Sequence, residues 1–85
     1  MKVLIPSALT SYTGGNRVEA RGETLAELLA DLDRNYPGIR FRMIDERQRP
    51  RPHIRFFVDR EQVFDLSRRL PVDGELLIVQ ALSGG

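Results

Sequence analysis

Four leucines at helical spacing, Leu25, Leu28, Leu29 and Leu32, set the strongest limit on what this chain can become. They fall at i, i+3, i+4 and i+7 and so make one apolar stripe along a helix. Thr24 and Glu27 stand before it at capping-box spacing. The Thr24 hydroxyl is placed to accept from the Glu27 amide, and the Glu27 carboxylate to return to the Thr24 amide. Pro37-Gly38 stops the helix near Tyr36. A helix with such a stripe must bury it against another element.

The flanking segments read as a sheet. Residues 2–5 are a short apolar strand, ended by Pro6, which has no amide to donate. Thr13-Gly14-Gly15-Asn16 is turn chemistry, and 17–21 alternates polar and apolar. The first two strands therefore form a β-hairpin with a loose connection, and Gly22 ends it. Past the helix, Phe41 and Ile44 are expected to anchor a short helical turn. Residues 46–52 contain no apolar side chain and two prolines, an exposed loop. In 54–58, Ile54, Phe56 and Val58 face one way, Arg55 and Phe57 the other. Asp59-Arg60-Glu61 is a hairpin turn, 62–64 a return strand, and Pro71-Val72-Asp73-Gly74 a second turn. The last strand, 76–81, is apolar on both faces, as a central strand is. The order is β-β-α-β-β-β, with first and last strands paired in the middle. This predicts an α+β domain over 1–81, a mixed sheet of four to five strands with one main helix across a face. Residues 82–85 are expected to be a flexible tail, because glycine keeps high backbone freedom.

A chain of 85 residues and 9.7 kDa is one domain. Area scaling buries roughly 64% of its surface, enough for one small core and too little to enclose a large pocket. Cysteine is absent, so disulfides, thiolate nucleophiles and zinc ribbons are excluded. His53 is the sole histidine, which excludes a multi-histidine metal site, and no serine stands in a nucleophile-elbow setting. A binding or carrier role, with no metal and no cofactor held by the chain itself, is favoured over an enzyme. No apolar run reaches about 18 residues, and 3–5 is too short for a secretory core, so the cytoplasm is the expected location.

The net charge of +1 does not mark a polyanion binder. Twelve arginines against one lysine, Lys2, are nonetheless unevenly spread: 39–60 holds seven arginines against Asp45, Glu46 and Asp59. With Phe41 and Phe56 this segment offers a small RNA-binding module as an alternative, since arginine pairs with phosphate and stacks on bases. The strand alternation turns Phe56 inward, and a solvated loop or an acidic protein partner is the preferred reading.

The close, Leu82-Ser83-Gly84-Gly85, is the sharpest chemical feature. Two glycines at a chain end arise by composition about 0.5% of the time, given about 7% glycine usage. Without Cβ atoms they can thread the Gly85 carboxylate into a narrow cleft of another protein and close to a nucleotide. There it can attack the α-phosphate of ATP, and a sulfur donor can displace AMP to leave a thiocarboxylate. The plain alternative is a frayed or truncated end. Together the element order, the final strand and the Gly-Gly close resemble the ThiS/MoaD sulfur carriers, relatives of ubiquitin with the β-grasp fold, over essentially the whole chain. Val3-Leu4-Ile5-Pro6 with Thr13-Gly14-Gly15, Gly22-Glu23-Thr24-Leu25, Tyr36, Val58-Asp59-Arg60-Glu61-Gln62-Val63 and Asp73-Gly74 look most like the CysO-like subgroup. Gln80 departs from the proline commonly found before the tail there.

The resemblance implies an E1-like adenylating enzyme with sulfurtransferase partner activity, which would hold the ATP and magnesium, and a biosynthetic enzyme that accepts the sulfur. It implies activation at Gly85, threading through Leu82, Ser83 and Gly84, and a chain that is monomeric when free, away from membrane and nucleic acid. Alternation of the strands would put Leu4, Phe57, Leu77 and Val79 on the open sheet face as a docking patch. A ubiquitin-like modifier joined to target lysines uses the same tail and stays an alternative.

Overall fold

In the computed structural model, which describes residues 1–81, strand β1 (Lys2–Leu4) leads through a 3-10 turn (Ser7–Leu9) and helix α1 (Thr10–Thr13) to strand β2 (Arg17–Glu19). Helices α2 (Leu25–Asn35) and α3 (Ile39–Met43) follow, then strands β3 (Ile54–Val58), β4 (Glu61–Val63) and β5 (Glu75–Gln80). The expected tail, 82–85, lies outside the described residues.

The leucine stripe behaves as its spacing requires: Leu25, Leu28, Leu29 and Leu32 are all fully buried. The Thr24 hydroxyl accepts from the Glu27 amide at 3.2 Å. The Glu27 carboxylate, however, takes the Glu23 amide at 3.1 Å rather than that of Thr24. The segment after β4 runs beside the start of the helix. Leu70 donates to the Glu23 carbonyl at 2.9 Å, and Leu25 and Ala26 donate to the Arg68 and Leu66 carbonyls at 3.0 and 2.8 Å. Two of the amide donors that any helix leaves open at its start are satisfied this way. Replacing Thr24 by Ala should then cost about 1 kcal/mol, read as a lower urea midpoint at unchanged slope. An unmoved midpoint would show that the loop carbonyls carry the cap alone.

The sheet order is β2-β1-β5-β3-β4. β1 and β5 pair in parallel, Val3 opposite Leu76, and β5 pairs antiparallel with β3, Ile78 opposite Phe56. The first and last strands thus meet in the interior of the sheet, as expected, and the arrangement is the β-grasp. Every inward assignment holds: Val3, Ile5, Ile54, Phe56, Val58, Leu76 and Ile78 are buried. They pack against the leucine face of α2 in one core. Between β3 and β4, Asp59 and Arg60 both adopt positive φ, +47° and +76°. That makes a two-residue turn of the hairpin-favouring kind. The Asp59 carboxylate accepts from the Glu75 amide at 3.0 Å, tying this turn to the start of β5.

Three further expectations are corrected. The connection between β1 and β2 is not loose: it coils into the 3-10 turn and α1, with Leu9 buried and Tyr12 packed on the core. Phe41 does not anchor α3. It is 63% exposed, while Ile39, Met43 and Ile44 are buried. Helical rotation puts Ile39 and Met43, at i and i+4, on one face and Phe41 away from it. The return strand ends at Val63, and Phe64 is 74% exposed.

Candidate functional site

The open sheet face carries the candidate docking residues. Strand register sets them side by side: Leu4 lies opposite Leu77, and Leu77 opposite Phe57. Val79 is two residues further along β5, on the same face, opposite Arg55. The four named side chains are therefore contiguous across β1, β5 and β3. Leu77 is 38% exposed, and Leu4, Phe57 and Val79 are half-buried. The row continues into polar neighbours on both sides, Arg17 opposite Leu4 and Gln62 opposite Phe57. An apolar centre with a polar rim is the composition of a protein contact surface.

Val79 sits near the end from which the tail departs. The Ala81 amide donates to the His53 carbonyl at 2.7 Å, so the last described residue is held to the start of β3. The residues assigned to activation and threading, Leu82, Ser83, Gly84 and Gly85, lie outside the described residues. What the fold supplies is their starting point and a face that leads up to it along the same strand.

Beside that exit is a groove of about 320 Å³ lined by Ala8, Leu9, Phe41, Arg42, Arg51, His53 and Gln80. The residues come from four separate stretches of chain, and no local signal in the sequence announces the groove. The Arg51 guanidinium stacks over the Phe41 ring at 4.6 Å and donates from Nε to the Phe41 carbonyl at 2.7 Å. Arg55 donates to the Pro52 carbonyl, and Arg40 to the Gln48 amide oxygen. Asp45 turns its carboxylate to the Arg47 and Arg49 backbone amides, at 2.9 and 3.0 Å. The bond from the Arg49 amide, foremost, holds that carboxyl below the usual aspartate range. Asp45 thus caps its own loop first, and the Arg51 and Arg49 guanidiniums act on it only at longer range. Phe56 is buried, which withdraws the better aromatic from an RNA surface, as its strand position implied.

No group of three or more histidine, cysteine, aspartate or glutamate side chains that could hold a metal occurs among the described residues. None of their helices is long and apolar enough to cross a membrane.

No family model matches the chain. The sulfur carrier protein CysO of Mycobacterium tuberculosis (strain ATCC 25618 / H37Rv) is 33% identical over 89 residues, covering 98% of this chain and 96% of that protein. Among solved structures, a chain of the Amycolatopsis orientalis BexX/CysO complex superposes with a TM-score of 0.91 at 31% identity, covering 99% of this chain and 98% of that one. Mycobacterium tuberculosis CysO superposes with a TM-score of 0.90 at 29% identity, covering 95% and 98%.

Proposed function

The chain belongs to the ubiquitin-like sulfur carriers, in their CysO-like branch, and on that premise we propose that it carries sulfur for cysteine biosynthesis as a thiocarboxylate on Gly85. The observation that carries the proposal is the likeness to a named sulfur carrier over nearly the full length of both chains. The Gly84-Gly85 close adds the slim carboxylate the chemistry requires. In the proposed sequence the Gly85 carboxylate oxygen attacks the α-phosphorus of ATP and pyrophosphate leaves. A sulfide equivalent then attacks the acyl carbon and AMP leaves. ATP and magnesium belong to the adenylating enzyme, and this chain is its protein substrate in the cytoplasm. A relative that is found in complex with BexX supports a role exercised against a second protein.

The test is to incubate the chain with the adenylating enzyme of the same genome, ATP, magnesium and a sulfur donor, and to weigh it. The expected product is heavier by the difference between sulfur and oxygen, mapped to Gly85. A chain that is never adenylated contradicts the proposal. A ladder of covalent conjugates on other proteins would instead assign it as a modifier.

Within this reading the open sheet face is the contact for the adenylating enzyme. Phe57→Asp and Leu77→Asp should each weaken that binding about tenfold or more while the melting temperature stays near that of the intact chain. The new carboxylate stays in water when the chain is free and loses that water in the complex. Two variants that bind as tightly as the parent would remove the patch from the account.

A further inference from the structure

Seven arginines lie between Arg40 and Arg60, and among the described residues none of them is within ion-pair distance of a carboxylate. The three acids of the segment make no ion pair with them, and the Arg51 and Arg49 charges act on Asp45 only at longer range. Asp45 is spent on backbone amides, Asp59 on the Glu75 amide, and Glu46 is exposed in the loop. Arg51 and Arg55 are instead held by neutral carbonyls, which fix the guanidinium without cancelling its charge. Arg51 lines both the groove at the β5 exit, with Arg42, and a neighbouring one of about 460 Å³, with Arg49 and Arg55. Arg55 in turn stands opposite Val79, at the border of the apolar patch. The result is a continuous basic belt that starts at the docking face and wraps round the point where the chain leaves the sheet.

We propose that this belt, Arg42, Arg49, Arg51 and Arg55, docks an acidic segment of the adenylating partner, at the rim of the cleft the tail enters. The inference rests on the carrier reading and adds the chemistry of the partner's surface. Carboxylates are the fitting occupant because guanidiniums held in place take them in paired hydrogen bonds. Four residues past Ala81 can span up to about 14 Å when fully extended, enough to carry the Gly85 carboxyl to a nucleotide beyond the reach of the belt. An extended tail that reaches the nucleotide therefore leaves the belt against protein at the mouth of the cleft. Single-stranded RNA is the weaker fit, because Arg51 already covers the Phe41 ring and Phe56 is buried. Clustered charge of one sign at a contact raises the association rate and fixes orientation, more than it raises catalysis once bound.

The experiment is ATP–pyrophosphate exchange with the adenylating enzyme of the same genome, with the carrier varied. Arg42→Gln alone and Arg42→Gln with Arg51→Gln are compared with the intact chain and with Arg69→Gln, which lies outside the belt. Thermal unfolding checks that each is folded, and the exposed Arg42 makes the single variant a safe second arm. The expected result is a carrier KM raised about tenfold in the double variant with kcat kept, less in the single one, and a weaker dependence of kcat/KM on salt. Arg69→Gln should match the parent. Belt variants with the parent's KM and salt dependence overturn the inference while leaving the carrier reading intact. So does retention of a single-stranded RNA oligomer by the intact chain that the double variant loses at unchanged KM. An intact chain that supports no exchange overturns the carrier reading and this inference with it.

Discussion

Deleting Gly85 should leave a folded protein that its adenylating enzyme activates at least about a hundredfold more slowly than the intact chain. The deletion shifts the terminal carboxylate back by one residue, about 3.5 Å. Displacement of a reacting group by about 1 Å already costs about a hundredfold when the geometry of attack is set by the surrounding site. The core is untouched, because its last buried residue on β5 is Ile78. The melting temperature should therefore match that of the parent while pyrophosphate exchange and thiocarboxylate formation both fail. Gly85→Ala keeps the length and adds one methyl group, so it should slow activation by a smaller factor. A truncated chain that is activated as fast as the intact one would show that the reactive group is elsewhere.

Gly22→Ala should be the most damaging single methyl group that can be added to the folded body. Gly22 is exposed, and at ordinary exposed positions such a change is worth about 0.5 kcal/mol or less. Here a Cβ would press on the backbone of α2, at 2.8 Å from both the Glu27 carbonyl carbon and the Leu28 Cα, and closer still to the Leu28 nitrogen. Backbone atoms of a packed helix cannot turn aside as a side chain can. Leu28 is fully buried on the other side, so moving the helix would open the core. The expected cost is about 3 kcal/mol, out of the roughly 4–13 kcal/mol a chain of this size has. It should appear as a melting temperature lowered by roughly 12–24 °C. Gly15→Ala is the control: nothing lies within 4 Å of its added Cβ, and its φ is not positive. It should leave stability unchanged or raise it slightly. Equal melting temperatures for the two variants would show that the helix yields at Gly22 without cost.

The Gly-Gly close and the outward apolar face of the sheet were legible before any coordinates, for different reasons. The Gly-Gly close is a covalent property of the chain, readable at once but silent about geometry. The face follows from strand alternation, so that once Ile54, Phe56 and Val58 are inward, Phe57 is outward. The contiguity of Leu4, Leu77 and Phe57 needed two pairings: the apolar character of β1 and β5 pointed to theirs, whereas that of β5 with β3 came from the structure. The basic segment was visible as composition, but not as a belt. Arg42 and Arg51 share a groove with Gln80 only because α3 and the Arg/Pro loop fold back onto the end of β5.

The sequence by itself determined what nearest neighbours encode: the leucine stripe and its Thr24 cap, the turns at Gly14 and at Asp59-Arg60, and the inward and outward residues of each strand. Tertiary structure alone decided the contacts between distant segments. The helix α2 receives the Leu66 and Arg68 carbonyls at its first amides, and the Glu27 carboxylate takes the Glu23 amide. The 7–13 connection coiled because Leu9 and Tyr12 found the core, and α3 rotated Phe41 outward because Ile39 and Met43 competed for the same face. Gly22, which reads in the sequence as the end of a strand, is in the structure a clearance for the α2 backbone. Periodicity and caps act over a few residues and leave their mark in the local sequence. Clearance, groove formation and the choice among acceptors depend on which segments, tens of residues apart, are pressed together when the apolar surface leaves water.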